Sequence, residues 1–169
     1  MEEAATSPQC PRCGSHFVRR IRPQSPGEHL LRLAHVHPFQ CQVCASRFTK
    51  YQAEDQRTLP APDRRIYERI ATAMRVTITD NVRSAEGVAS DLSLDGCSLR
   101  TTLQIAVGER LRLSLHPDGE AEPIIVDRAI VRSVQPPLAG VQFLQFGTRG
   151  RERLSRIVRK LLTQQQTSA

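Results

Sequence analysis

Two pairs of cysteines constrain the fold of this chain more than any other feature. Cys10 and Cys13 form one C-x2-C pair, and Cys41 and Cys44 form a second, with residues 14–40 between them. Each C-x2-C turn can aim two thiolates at one ion, and four sulfurs complete the tetrahedral coordination of a structural zinc ion. The sequence therefore predicts a zinc site at these four cysteines, with no coordination position left open for catalysis.

The segment around these cysteines, residues 10–50, resembles the zinc-ribbon family, in which two such turns face each other across short strands. We expect those strands near residues 17–19 and 47–49. A segment of about 40 residues seldom buries enough apolar surface to fold unaided, so metal binding and folding should be coupled. Reduced structural thiols, or a redox pair, are the alternative uses of the cysteines.

We do not assign the remaining cysteine or the histidines of this segment to the metal site. Cys97 is left over as an unpaired thiol, since a disulfide framework is not expected in a reducing compartment. We expect surface positions for four histidines, which are His16, His29, His35 and His37.

Alternation of apolar and polar residues dominates the middle of the chain. Val76 and Ile78 alternate with threonines, and Leu111, Leu113 and Leu115 alternate with polar residues. Such alternation is typical of strands with one buried face. Further apolar runs, separated by turn signals, lie at residues 96–102, 124–134 and 141–146. We predict a mainly β fold that contains a small six-stranded antiparallel barrel.

The apolar spacing becomes helical near the C-terminus. One helical face would carry Leu154, Ile157, Val158, Leu161 and Leu162, and basic residues occupy much of the remainder. This pattern predicts an amphipathic helix that covers one end of the barrel. Contact of its basic face with an acidic partner is the alternative interpretation.

These patterns divide the chain into four segments. They are a disordered N-terminus (1–9), a zinc ribbon (10–50), a linker (51–63) and a β-barrel with its C-terminal helix (64–164). No apolar run approaches the roughly 18 residues of a membrane helix, and the first residues are acidic where a secretion signal would be basic. We therefore expect a cytoplasmic protein without a membrane span.

The charge of the chain limits its function. The formal net charge is +7, yet the middle of the chain is near neutral, and there are five Phe, two Tyr and no Trp. A nucleic-acid binder usually concentrates charge on a recognition domain that offers aromatic rings for stacking. Nucleic-acid binding is thus an open but unfavoured alternative. An enzyme is not expected, because the sequence has no nucleophile–base set, open metal site or phosphate-binding glycine loop.

Two short polar motifs follow the linker. One is R-x3-R, within residues 64–69, which we call the arginine segment, and the other is D-x-S-x2-G, which begins 22 residues after the last arginine. The residues concerned are Arg64, Arg65, Arg69, Asp91, Ser93 and Gly96. In this order, ahead of alternating strands, the motifs resemble the PilZ domain family of bacterial receptors for cyclic di-GMP. The resemblance covers roughly residues 62–164.

The resemblance implies a ligand site with two sides. Arg65 and Arg69 would bind phosphate and guanine, with Arg64 as a third contact, while Asp91, Ser93 and Gly96 would lie on the facing surface of the barrel. The chemistry is suitable, because a guanidinium donates paired bonds to phosphate or to guanine O6 and N7 and also stacks on bases. A carboxylate accepts from the guanine N1–H and N2–H groups.

Other interpretations of the two motifs stay open. The D-x-S-x2-G motif can be a hairpin turn whose polar side chains satisfy backbone groups. The arginines can form the solvated face of a short helix.

At the level of the whole protein we expect a cyclic di-GMP receptor. Its arginine segment would be mobile without ligand, and nucleotide binding would change the domain arrangement or the surface offered to a protein partner. The alternative is a zinc-ribbon adaptor for protein or nucleic-acid binding, whose PilZ-like barrel has no nucleotide ligand.

Overall fold

The computed structural model describes residues 8–52, 66–80 and 82–167. The chain forms two compact units, Met1–Glu68 and Arg69–Ala169, which we call the cysteine unit and the barrel unit. Most of the predicted disordered N-terminus and of the predicted linker lies outside the described residues, as do Arg64 and Arg65.

The cysteine unit contains a three-stranded antiparallel sheet with strand order β1-β2-β3. Its elements are β1 Val18–Arg20, helix α1 Pro26–Leu31, a 3-10 turn Arg32–Ala34, β2 Val36–Cys41 and β3 Arg47–Tyr51. Strands β1 and β3 lie where the sequence predicted short strands. The central strand β2 was not predicted, because His37 and Pro38 interrupt its apolar pattern.

The sequence around Ser25 explains where α1 begins. The Ser25 hydroxyl accepts a hydrogen bond from the Glu28 N–H at 3.3 Å, and Pro26 occupies the first helical turn. The Glu28 carboxylate in turn accepts from the Gln24 N–H at 2.7 Å and pairs with Arg47 at 2.6 Å. This arrangement resembles a capping box, and its ion pair connects the helix to strand β3.

The apolar core of the cysteine unit is small. Ile21, Phe39 and Val43 are buried, and the Phe39 ring stacks on Phe48 with centroids 5.8 Å apart. His37, which we expected at the surface, is only 2% exposed, and its Nδ1 lies 2.7 Å from an Arg20 guanidinium nitrogen. The imidazole is buried because β2 is the central strand of the sheet.

The barrel unit is a closed barrel of six antiparallel strands in the order β4-β5-β6-β9-β8-β7. The strands are β4 Ile70–Thr79, β5 Ser84–Leu92, β6 Gly96–Thr101, β7 Arg110–His116, β8 Ile124–Gln135 and β9 Leu138–Phe146. The predicted mainly β fold with a six-stranded barrel is therefore confirmed.

The interior of the barrel contains the apolar residues that alternate along its strands. Val76 and Ile78 of β4 and Leu111, Leu113 and Leu115 of β7 are all buried. Their intervening neighbours are exposed or half-buried. Period-two alternation therefore identified these strands correctly, because each has one face toward the core.

Helix α2, Gly150–Thr167, follows the last strand and confirms the predicted C-terminal helix. Leu154, Ile157, Val158 and Leu162 are its buried apolar residues, and the helix packs against β8 and β4. In the described part of the chain, neither helix combines the length and apolar character that crossing a membrane requires.

Candidate functional site

The four cysteines of the two C-x2-C pairs come together in the cysteine unit. All four sulfur atoms lie within 4.8 Å of one another. The Cys10 and Cys44 sulfurs are 3.6 Å apart, and those of Cys13 and Cys41 are 3.7 Å apart. Zinc–sulfur bonds of about 2.3 Å in a tetrahedron place sulfurs about 3.8 Å apart. The cluster therefore has the donor atoms and the spacing to hold a metal ion.

The backbone of the two cysteine turns explains how the thiols converge. Gly14 and Ala45, each directly after the second cysteine of its pair, have φ angles of 67° and 59°. In the second turn, the N–H groups of Val43 and Cys44 both donate to the Cys41 sulfur at 3.4 Å. The two turns thus share one conformation, although only one of them has a glycine at the position of positive φ.

The cysteines of the cluster differ in pKa, because burial and backbone hydrogen bonds act on them to different extents. Burial raises the pKa of Cys41 to about 12 and also raises the pKa of Cys44. For Cys10, burial acts in the same direction, but N–H groups of Cys13 and Arg12 outweigh it and lower the pKa to about 7. Deprotonation of Cys41 and Cys44 is therefore unfavourable unless a cation binds the thiolates.

The fifth cysteine has no part in this cluster. Cys97 lies in β6 with its side chain inside the barrel, and it is fully buried. Burial, and secondarily the charge of Asp91, raise its pKa to about 12. A thiol of this kind packs as a small apolar side chain and is unreactive.

Residues from the two polar motifs meet at the start of the barrel unit. An Nη1 atom of Arg69 lies 3.5 Å from the Asp91 carboxylate and donates to the Ser98 hydroxyl at 2.8 Å. The other Asp91 oxygen accepts from the Ser98 N–H at 2.8 Å, which fixes the carboxylate. The side chains of Arg69 and Asp91 are 33% and 24% exposed. A cation and an anion are thus held together in a position open to solvent.

The rest of the D-x-S-x2-G motif forms the turn between β5 and β6. Ser93 is buried, and its hydroxyl donates to the Gly96 carbonyl at 3.1 Å and accepts from the Asp95 N–H at 3.3 Å. A Cβ atom on Gly96 would overlap the carbonyl oxygen of Val141 in β9. Ser93 and Gly96 therefore shape the turn that precedes Ser98, and their predicted ligand contacts stay predictions.

Sequence reasoning did not find every residue around the arginine segment. Ser98 was missed, although a hairpin between β5 and β6 pairs it directly with Asp91. Assuming that hairpin from the turn motif would have identified it. Arg64 and Arg65 lie outside the described residues. Among the other residues predicted for the ligand site, Arg69 contacts Asp91, and Ser93 contacts Gly96 within the turn.

Two glutamines next to the cysteine cluster were also missed. Gln42, inside the second cysteine turn, donates through Nε2 to the Ile66 carbonyl at 3.1 Å and accepts the Glu68 N–H at 2.7 Å. Gln40 donates to the Tyr67 hydroxyl at 3.3 Å. No sequence signal points to these contacts, since a glutamine between two cysteines has no distinctive pattern.

Comparison with known proteins places these features in context. The family model described as PilZ domain matches residues 63–160. The inhibitor of motility MotI/DgrA from Bacillus subtilis has a similar fold, with TM-score 0.52 and 16% identity, over 79% of this chain and 73% of that chain. YcgR from Escherichia coli, solved in complex with cyclic di-GMP, gives TM-score 0.50 and 19% identity, over 89% of this chain and 76% of that one. No curated protein sequence matches.

Proposed function

Because the chain belongs to the PilZ domain family, whose model matches residues 63–160, we propose that it is a receptor for cyclic di-GMP. On this proposal the chain binds the nucleotide without converting it. The Escherichia coli protein YcgR, of similar fold, was solved as a complex with this nucleotide.

The contact between Arg69 and Asp91 is the observation that carries the proposal. The contacts of Arg69 with Asp91 and Ser98 both use Nη1, so Nε and Nη2 have no partner among the described residues. A guanidinium edge of this kind donates two parallel bonds to phosphate or to guanine O6 and N7. The fixed Asp91 carboxylate offers an acceptor for guanine N–H groups beside it. Arg69 would therefore bind acceptor atoms of the ligand, and Asp91 beside it would bind the guanine N–H donors.

The other predicted site residues complete the proposal. Arg64 and Arg65 would bind the remaining phosphate and guanine groups, because the planar guanidinium of arginine donates paired hydrogen bonds to either group, whereas the ammonium of lysine is a point charge. Ser93 and Gly96 would hold the turn that presents Asp91. Nucleotide binding would change the arrangement of the two units or the surface offered to a protein partner.

Calorimetric titration with cyclic di-GMP tests the receptor function. We expect saturable binding by the unaltered chain and at least about tenfold weaker binding by Arg65→Ala, Arg69→Ala and Asp91→Ala, because each loses a charge-assisted hydrogen bond. Arg110→Ala is the matched control, since Arg110 is an exposed arginine of β7 outside both motifs. Chromatography after incubation should recover the nucleotide intact.

Two results would contradict the receptor function. One is the absence of binding by the unaltered chain, and the other is equal affinity of the motif variants and Arg110→Ala. If DNA or RNA bound instead, with a steep dependence on salt and without competition by cyclic di-GMP, the chain would be an adaptor.

For the cysteine cluster we propose a structural zinc ion as the occupant. Four thiolates leave no coordination position for water or substrate, so the ion would stabilise the fold without catalysing a reaction. Elemental analysis should find one zinc per chain, which Cys41→Ser loses and Cys97→Ala retains. A chain purified with fully reduced thiols that binds no added zinc would refute this assignment.

A further inference from the structure

A hydrogen-bonded connection leads from the cysteine cluster to the interior of the R-x3-R motif. The three residues between Arg65 and Arg69 are Ile66, Tyr67 and Glu68, and all three belong to the cysteine unit. Arg69 is the first residue of the barrel unit. The boundary between the two units therefore falls within the motif.

The side chain of Gln42 binds this segment as a neighbouring strand would. Its amide donates to the Ile66 carbonyl at 3.1 Å and accepts the Glu68 N–H at 2.7 Å, so one side chain satisfies backbone groups two residues apart. A third bond, from the same Nε2 to the Gln40 carbonyl at 3.2 Å, fixes the amide itself. Gln42 is only 5% exposed.

The position of Gln42 explains why metal binding would matter to the segment. Gln42 lies between Cys41 and Cys44, and its N–H donates to the Phe17 carbonyl at 2.9 Å. Its direction is therefore set by the backbone of the second cysteine turn. A buried amide is favourable only if its polar atoms are bonded, so the turn and the segment depend on each other.

Gln40 adds a second contact to the same segment. Its Nε2 donates to the Ala45 carbonyl at 2.7 Å, at the end of the cysteine turn, and to the Tyr67 hydroxyl at 3.3 Å. Gln40 is 6% exposed. Two buried amides from the metal-binding region thus contact the three residues between the arginines.

We propose that Gln42 is a positioning residue for cyclic di-GMP, through which zinc occupancy of the cysteine cluster raises nucleotide affinity. This inference rests on the proposed receptor function. The held backbone of residues 66–68 ends directly before Arg69, so it restricts the positions that Arg69 can take, which lowers the entropy lost on binding. The cysteine cluster is then a regulatory input to the receptor: loss of zinc to a competing chelator weakens the response to the nucleotide.

The Glu68 amide proton is a direct reporter of this contact, because its acceptor is the Gln42 side chain. In the zinc-loaded full-length chain we expect Gln42→Leu to keep one zinc per chain. Exchange of the Glu68 amide should be at least about tenfold faster in this variant, and cyclic di-GMP affinity about tenfold lower. Gln24→Ala, which removes an exposed amide of the same unit, is the control and should change neither quantity.

A second comparison covers the case in which Gln42→Leu fails to fold. Gln42→Asn keeps the amide but shortens its reach by one methylene, and it should show the same two changes. Removal of zinc from the unaltered chain should also accelerate Glu68 exchange and weaken nucleotide binding, whereas it should weaken binding by a folded Gln42→Leu variant by a smaller factor.

The outcomes separate this inference from the receptor function. Unchanged Glu68 exchange in both Gln42 variants, or undiminished nucleotide affinity despite faster exchange, would overturn the positioning role. If the unaltered chain binds no cyclic di-GMP, the receptor function fails, and the exchange measurement still decides whether Gln42 holds the segment.

Discussion

Ala45 occupies in the second cysteine turn the position that Gly14 occupies in the first. It has a φ of 59°, close to the 67° of Gly14 at the equivalent position. An L-residue in this left-handed conformation costs roughly 1–2 kcal/mol relative to the right-handed one, and glycine avoids that cost. Of the two residues, only Gly14 is of a type suited to positive φ, because glycine has no Cβ atom. The structure shows that the turn imposes the same conformation on both.

Reciprocal substitutions at these positions should have opposite effects. Ala45→Gly relieves conformational strain, Gly14→Ala introduces it, and a Cβ on Gly14 meets no atom within 4 Å. Because glycine also increases the entropy of the unfolded chain, each net effect should be only about 0.5 kcal/mol, or a factor of two to three in zinc affinity. Competition with a chromophoric chelator measures both. Changes of the same sign in the two variants would contradict this account.

At the scale of single residues, the sequence identified the chemistry of the candidate site better than its contacts. The cysteines were found because their spacing is a direct requirement of tetrahedral coordination. Arg69 and Asp91 were found by motif, and their mutual contact follows from the pairing of β4 with β5, which the sequence alone did not define. Gln42 had no signal, because its role depends on a segment 24 residues away that reaches it only in the folded chain.

At the scale of secondary structure, the association of β6 with β9 depends on Gly96. Gly96 pairs with Gln142, and the space for its Cβ is occupied by the Val141 carbonyl. Gly96→Ala must therefore separate two hydrogen-bonded strands of a closed barrel, at an expected cost of about 3 kcal/mol. Urea denaturation followed by circular dichroism measures this loss. Gly27→Ala in α1 is the control, because its Cβ has ample room.

This substitution also distinguishes two roles of the glycine. If Gly96 is needed for close ligand approach alone, the alanine variant will have normal stability and reduced cyclic di-GMP affinity. If it is needed for strand packing, stability will fall whether or not the nucleotide is present.

The elements that sequence reasoning missed share a physical cause. Strand β5, Ser84–Leu92, has few large apolar residues, since Ala85, Gly87 and Ala89 stand where larger side chains would mark a buried face. Strand β2 contains a histidine and a proline. Both strands are defined by their neighbours on either side, which supply long-range hydrogen bonds that a local pattern does not contain.

At the scale of the whole molecule, the two units differ in what stabilises them. The barrel unit closes on itself around a continuous apolar core and is covered by α2. The cysteine unit buries few large apolar residues, which include Ile21 and Phe39, beside its four thiols. A domain with so small a core generally needs a bound metal to stay folded, whereas a closed barrel with its own core does not.

Removal of zinc should therefore unfold one unit and spare the other. We expect a strong chelator to abolish amide exchange protection in β2 and β3 while protection in β7 and β8 persists, because only the cysteine unit depends on the ion. Two-dimensional NMR of the full-length chain would follow both sets of amides in one sample. Readdition of zinc should restore the lost protection, and zinc added to Cys41→Ser should not. Loss of protection in both units together would mean that the barrel depends on the metal-bound fold of the first unit, and the division of stability argued from the two cores would be wrong.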